Sequence, residues 1–135
     1  MAPMLRAPFA LLCVLALSGC SYIYGVEAKM SGGRVVFEAD PQWGKDCVRK
    51  IVVRAGDTRG SAAVWDQSVS YEDDCANTFP VRYGDAFKGR SERAAKPQPL
   101  RTGVVYTVET TTGATGYGCG RFRLLDDRRV EDLGC

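Results

Sequence analysis

Histidine is absent from the sequence, and its absence removes several common kinds of active site. Ser-His-Asp and Cys-His arrangements need an imidazole as general base, and imidazole is also the commonest side-chain ligand of metal ions. A four-thiolate zinc site would not need histidine, but the sequence contains no Cys-x-x-Cys pair. The sequence therefore predicts no catalytic residue and no metal ligand.

A strong charge of one sign is also lacking. Lysine and arginine number 18 and aspartate and glutamate number 16, which gives a formal net charge of +2. Nucleic-acid-binding domains carry clustered positive charge, and no segment of this chain provides it. We therefore expect no nucleic-acid partner.

No apolar run approaches the roughly 20 residues that a membrane-spanning helix needs. Residues 7–17 are apolar and follow Met1 and Arg6. A short apolar segment behind a positively charged start is typical of a secretory signal peptide. The sequence therefore predicts an exported protein without a transmembrane helix.

The apolar segment ends in Leu17-Ser18-Gly19-Cys20, which resembles the lipobox of bacterial lipoproteins. The resemblance covers residues 1–21 only. It implies cleavage before Cys20, lipidation of the Cys20 thiol through a thioether, and fatty acylation (palmitate) as a membrane anchor. Ser21 resembles the residue that follows the cysteine in outer-membrane lipoproteins, which implies the periplasmic face of the outer membrane. The alternative is an ordinary signal peptide cleaved by chance beside a cysteine.

These features divide the chain into three parts. Residues 1–19 are the predicted lipoprotein signal peptide, residues 20–30 a lipidated N-terminus and tether, and residues 31–135 one domain. A chain of this length can bury roughly two-thirds of its unfolded surface, so a single compact domain is expected.

The sequence holds six cysteines, of which Cys13 falls in the predicted signal peptide and Cys20 carries the predicted lipid. The other four are Cys47, Cys75, Cys119 and Cys135. Four cysteines in an exported domain indicate two disulfides with three possible connectivities. A hairpin of residues 121–125 and 129–133 would place Cys119 opposite Cys135, which leaves Cys47 to pair with Cys75. The other connectivities and a zinc site are the alternatives.

The predicted elements are short strands rich in β-branched and aromatic residues. They span residues 33–39, 47–54, 61–70, 78–83, 102–110, 121–125 and 129–133. The second and third are predicted to form an antiparallel hairpin, and Pro80 assigns the fourth to a sheet edge. Residues 84–99 are polar and predicted as a loop, with at most one helical turn at 91–96. The fold class is therefore all-β, a small disulfide-stabilised antiparallel β-sandwich or flattened barrel.

Two segments carry residue types found in active or binding sites. Glu72, Asp73 and Asp74 are consecutive, whereas acid-base catalysis needs two carboxylates on opposite sides of a substrate, and a calcium loop needs alternating oxygen ligands. The glycine-rich run 113–120 lacks the lysine and the following helix of a phosphate loop. We interpret the first as a solvated loop and the second as room for a bulge or a crossing strand, and expect no cofactor.

Two further groups of side chains favour structural roles. The arginines at 121, 123, 128 and 129 could form a basic strip, but neighbouring carboxylates would neutralise it. The aromatic residues Trp43, Trp65, Phe79 and Tyr83 are interpreted as core or edge packing and not as a ligand platform.

Three functional interpretations follow. The first is a non-enzymatic structural or protein-interaction domain, held to the membrane by its lipid and binding a protein or envelope partner. The second is an enzyme inhibitor or small-ligand-binding module, because rigid β-domains present loops well. The third is a carboxylate-dependent hydrolase, which the sequence supports least.

Overall fold

The computed structural model describes residues 21–42, 47–56, 60–70 and 75–135, and within them the fold is all-β. The strands are β1 (Tyr22–Ser31), β2 (Arg34–Ala39), β3 (Val48–Ala55), β4 (Ala63–Val69), β5 (Val81–Arg82), β6 (Ser91–Ala95), β7 (Val105–Thr112), β8 (Gly116–Leu124) and β9 (Val130–Asp132). They form one mixed sheet in the order β5-β2-β1-β8-β7-β3-β4-β6, with β9 paired to β8. The sheet curls into a half-barrel, which agrees with the flattened-barrel form of the prediction, and there is no second sheet among the described residues.

Side-chain alternation defines the inner and outer faces of the sheet. Along β7, Tyr106 and Val108 are buried, whereas the alternating residues Val105, Thr107 and Glu109 are partly exposed. Val108 pairs with Val53 of β3, and Val53 pairs with Trp65 of β4, so these side chains share the inner face. The predicted β3–β4 hairpin and its antiparallel pairing are confirmed.

The inner face is filled by aromatic rings. Phe122 lies at the centre, with ring centroids 5.4 Å from both Phe37 and Tyr106. Trp65 is fully buried and packs edge-on against Tyr83, with the ring centroids 5.1 Å apart. The Trp65 and Tyr83 interpretations as packing residues are therefore confirmed.

The glycine-rich segment allows β1 to approach β8 closely. β1 runs parallel to the start of β8, with Tyr22 opposite Gly116 and Tyr24 opposite Gly118. A Cβ atom at Gly116 would lie 2.6 Å from Cζ of Tyr22, and one at Gly118 would lie 2.6 Å from Cε2 of Tyr24. The absent side chains make room for these tyrosine rings, so the structural interpretation of the glycines is confirmed.

Two strands pair with the same edge of β8, β1 along its first part and β9 along its last part. β1 pairs with β8 from Tyr22 to Gly25 and with β2 from Val26 to Ser31. β9 pairs with the second half of β8, with Phe122 opposite Asp132 and Leu124 opposite Val130. This is the register of a hairpin centred on Asp127, as the sequence predicted.

Both predicted disulfides are present. The Cα atoms of Cys47 and Cys75 are 5.1 Å apart, and those of Cys119 and Cys135 are 5.5 Å apart. Both separations fall within the range that a disulfide requires. The first bridge joins the start of β3 to the segment before β5, and the second joins β8 to the segment after β9.

Two predictions are wrong, one about where the ordered domain begins and one about residues 84–99. The tether was predicted to continue through residue 30, but β1 begins at Tyr22, because Tyr22, Tyr24, Val26 and Ala28 alternate inward along an extended strand. The predicted loop 84–99 contains β6 and no helical turn, since β6 hydrogen-bonds to β4 through its backbone and its five residues are exposed.

Tyr83 closes the open side of the half-barrel. It follows β5, yet its hydroxyl donates a hydrogen bond to the carbonyl oxygen of Gln98 at 2.6 Å, and the carbonyl oxygen of Val64, next to Trp65 on β4, lies 3.3 Å from the same hydroxyl. Burial, with a contribution from nearby Tyr106, raises the pKa of Tyr83 to about 12. The neutral phenol is therefore the form that the folded protein favours.

Replacing Tyr83 with phenylalanine tests this closure. The variant is expected to lose about 1 kcal/mol of stability at neutral pH, because the hydroxyl donor is removed and the ring is kept. Since the folded pKa is raised from 10.0, the Tyr83 contribution is complete below about pH 10 and is lost as the pH rises towards 12. Urea denaturation at several pH values measures it, and an equal difference between the two proteins at pH 8 and pH 12 would contradict the assignment.

Candidate functional site

Several residues singled out in the sequence lie outside the described residues. These are Cys20, Trp43, and Glu72 to Asp74. Two places among the described residues are candidates for a functional site: the end of the sheet where β1 begins and a cleft where β1 separates from β8.

The end of the sheet where β1 begins is called here the anchor end. Tyr22 opens the strand, and its backbone N–H donates to the carbonyl of Thr115 at 3.2 Å. Ile23 lies directly opposite Tyr117 of β8. Only Ser21 separates Tyr22 from Cys20. The chain between Cys20 and Tyr22 can therefore span at most about 7 Å, the reach of two extended residues.

The cleft has a volume of about 550 Å³. It opens between the last part of β1 and the β8–β9 hairpin, because β1 turns away from β8 after Gly25 and β9 takes its place. The Cys119–Cys135 bridge lies on its wall, so the disulfide fixes the width of the cleft on the hairpin side.

Charged side chains line the cleft: Glu27, Lys29, Glu38, Asp40 and Asp132. Glu27 and Glu38 are directly opposite each other in the β1–β2 pair. Like charges in that position repel each other, and Lys29 offsets the repulsion with its Nζ atom 2.8 Å from Glu38 and 3.9 Å from Glu27. The hydrogen bond to Glu38, followed by the charges of the two glutamates, raises the pKa of Lys29.

Asp132 ties the two walls of the cleft together. Its Oδ1 atom accepts a hydrogen bond from the backbone N–H of Ala28 at 3.2 Å, and this N–H belongs to the part of β1 that has left β8. The carboxylate thus replaces the strand partner that β1 has lost. Three of the cleft carboxylates, Glu27, Glu38 and Asp132, therefore each have an ionic or backbone partner.

The arginines of the last hairpin are neutralised, as predicted, where the structure pairs them. Arg123 lies 2.8 Å from Glu131, directly across the β8–β9 pair. Arg129 lies 2.7 Å from Asp126, which also accepts a hydrogen bond from the backbone N–H of Arg128. The hydrogen bond from the Arg128 backbone N–H, followed by the hydrogen bond from the Arg129 side chain, lowers the pKa of Asp126.

Phe79 is partly buried and packs edge-on against Tyr24, which confirms its packing role.

The sequence reasoning missed the cleft because it missed β1. Ser31-Gly32-Gly33-Arg34 carries the two-residue glycine turn of a β-hairpin, with φ of 59° at Gly32 and 76° at Gly33. That turn would have paired the segment before it with β2 and placed Glu27 opposite Glu38.

In the described ranges, no three histidine, cysteine or carboxylate side chains are grouped to share a metal ion. No helix in these ranges has the length and apolar composition needed to cross a bilayer. No protein-family model, curated protein or solved structure matches this chain.

Proposed function

We propose that this protein is a lipid-anchored lipoprotein of the bacterial envelope, whose β-domain serves a structural or protein-interaction role and not an enzymatic one. The anchor is Cys20, and the location is the periplasmic face of the outer membrane. The observation that carries the proposal is the sequence Leu17-Ser18-Gly19-Cys20 placed directly before a domain that starts at Tyr22.

The character of the domain supports this proposal. Two disulfides suit an oxidising compartment outside the cytoplasm. The cleft is lined by charged side chains, of which Lys29 and Glu38 are ion-paired at 2.8 Å. A domain whose fold is cross-linked presents a fixed shape to a partner at low entropic cost.

Replacing Cys20 with serine tests the anchor. The variant is expected to remain as unprocessed precursor and to incorporate no labelled fatty acid, because the hydroxyl cannot form the thioether on which processing depends. Cys13→Ser is the matched control, since Cys13 lies within the predicted signal peptide and should not affect labelling. Labelling of Cys20→Ser, or none of the wild type, would refute the proposal.

A second candidate function is that of an inhibitor or ligand-binding module that uses the cleft. The observation that favours it is the cleft volume of about 550 Å³, which falls in the usual range for ligand sites. Lys29→Glu reverses the central charge of the cleft, whereas Leu125→Ser changes an exposed residue after β8. Cross-linked complexes lost in the first variant and kept in the second would support this function; complexes kept in both would exclude the cleft.

A further inference from the structure

The two most exposed large apolar side chains in the described residues are neighbours at the anchor end. Ile23 is 76% exposed and Tyr117 is 49% exposed. They are opposite residues of the parallel β1–β8 pair, so their side chains project from the same, outer face of the sheet. The third such residue, Leu125, is 42% exposed and follows the opposite end of β8. The exposed apolar surface is therefore concentrated at one end.

Cationic side chains continue the same row across the sheet. Tyr117 pairs with Thr111, Thr111 with Lys50, Lys50 with Ser68 and Ser68 with Arg93. Lys50 is exposed, and the Arg93 side chain is 71% exposed beside Asp66. The row therefore holds an aliphatic residue, a tyrosine and two cations, of which Arg93 is ion-paired with Asp66 at 3.3 Å. Tyrosine and long cations combine an apolar body with a polar tip, which suits the boundary between lipid headgroups and acyl chains.

The short stretch of chain between Cys20 and β1 indicates what lies against this row. Ile23 is three residues from Cys20, so its Cα atom lies at most about 10 Å from the Cα atom of the anchored residue. The headgroup layer on one side of a bilayer is about 5 to 7 Å thick. A lipid on Cys20 would therefore hold the anchor end at the headgroups and leave Leu125 at the end away from them.

We infer that Ile23, Tyr117 and Lys50 form a membrane-contacting surface, which fixes the orientation of the domain on the lipid bilayer. This inference rests on the proposed anchor at Cys20. The lipid holds the protein at the surface, and this row sets which side faces the lipid: Ile23 and the Tyr117 ring enter the headgroup layer, while Lys50 extends to the phosphates.

Photo-cross-linking of the lipidated, full-length gene product tests the orientation. A photoreactive p-benzoylphenylalanine replaces Ile23, Tyr117 or, as the control, Leu125, and each purified protein is incorporated into phosphatidylethanolamine–phosphatidylglycerol vesicles. These positions are exposed, so the substitutions should leave the fold intact, and the Cys119–Cys135 bridge checks this by non-reducing peptide mapping. Phospholipid adducts are expected at positions 23 and 117, at several times the yield seen at position 125.

The outcomes separate this inference from the proposed anchor. Intact mass first establishes whether Cys20 carries lipid, and a chain without it would overturn both. Lipidated protein with equal adducts at all three positions, with none, or with adducts to a second copy of the chain would overturn the orientation alone. Removing the charge with Lys50→Gln should lower adduct yield at position 117 in anionic vesicles but not in vesicles of phosphatidylcholine alone; an equal yield in the anionic vesicles would exclude the contribution of Lys50.

Discussion

Gly120→Ala is expected to destabilise the domain by about 3 to 5 kcal/mol, at or above the upper end of what overpacking costs. A Cβ atom at this position would overlap the carbonyl oxygen of Val26 and lie 3.0 Å from Cγ1 of Val108. The first of these is a backbone atom of β1 at the point where that strand leaves β8. It cannot move away without displacing the strand, so relaxation is limited.

Gly25→Ala is the matched control for this variant. Gly25 is also a strand glycine of the β1–β8 pair, but a Cβ there would meet nothing within 4 Å and its φ is not positive. The control should keep or raise stability by up to about 1 kcal/mol, because alanine restricts the unfolded chain. Urea denaturation followed by tryptophan fluorescence measures both, since Trp65 is fully buried. Equal stabilities would show that β1 does not approach β8 at Gly120.

Removing both disulfides is expected to cost about 6 kcal/mol, which is a large part of the net stability of a small domain. The bridges join residues 28 and 16 positions apart. Closing loops of these lengths restricts the unfolded chain by about 3 kcal/mol each. The fourfold variant with serine at Cys47, Cys75, Cys119 and Cys135 should therefore be largely unfolded at 37 °C, whereas Cys119→Ser/Cys135→Ser alone should fold with reduced stability.

Peptide mapping without reduction checks the pairing behind this expectation. Trypsin should release residues 102–121 linked to residues 130–135. A peptide linking Cys75 to Cys135 would contradict both the β8–β9 register and the assignment of the loop lengths. A fourfold variant as stable as the wild type would show that the apolar core suffices without either bridge.

The strands that the sequence predicted are those with a hydrophobic pattern or a defining turn. The alternation in β7 predicted a strand with one buried face, and the symmetry of Cys119 and Cys135 about Asp127 predicted the β8–β9 pairing. Local pattern and turn chemistry agree in these strands, and such agreement makes sequence inference reliable.

The missed strands lack one of those two features. β6 is exposed along its whole length at the sheet edge, so nothing in its composition records burial. β1 alternates correctly, but Gly25 and Ala28 weaken the pattern and its parallel partner is distant in sequence. Parallel pairing leaves no local turn to detect.

The candidate site was foreseen unevenly for the same reason. The four bridging cysteines were predicted from spacing, which needs no tertiary contact, and their pairing is confirmed. Cys20 was predicted from a motif and stays a prediction. The cleft depends on the place where β1 leaves β8, and the Ile23–Tyr117 pair joins residues from opposite ends of the chain. Neither arrangement has a signature in a single segment.

Mass spectrometry of the N-terminal peptide of protein purified from membranes tests the anchor most directly. Trypsin should yield a first peptide of residues 20–29, since Lys29 is the first basic residue after Cys20. The expected mass includes a diacylglyceryl group on the Cys20 thiol, with or without an N-terminal acyl chain. A first peptide that starts at another residue, or one that starts at an unmodified Cys20, would contradict the lipid anchor.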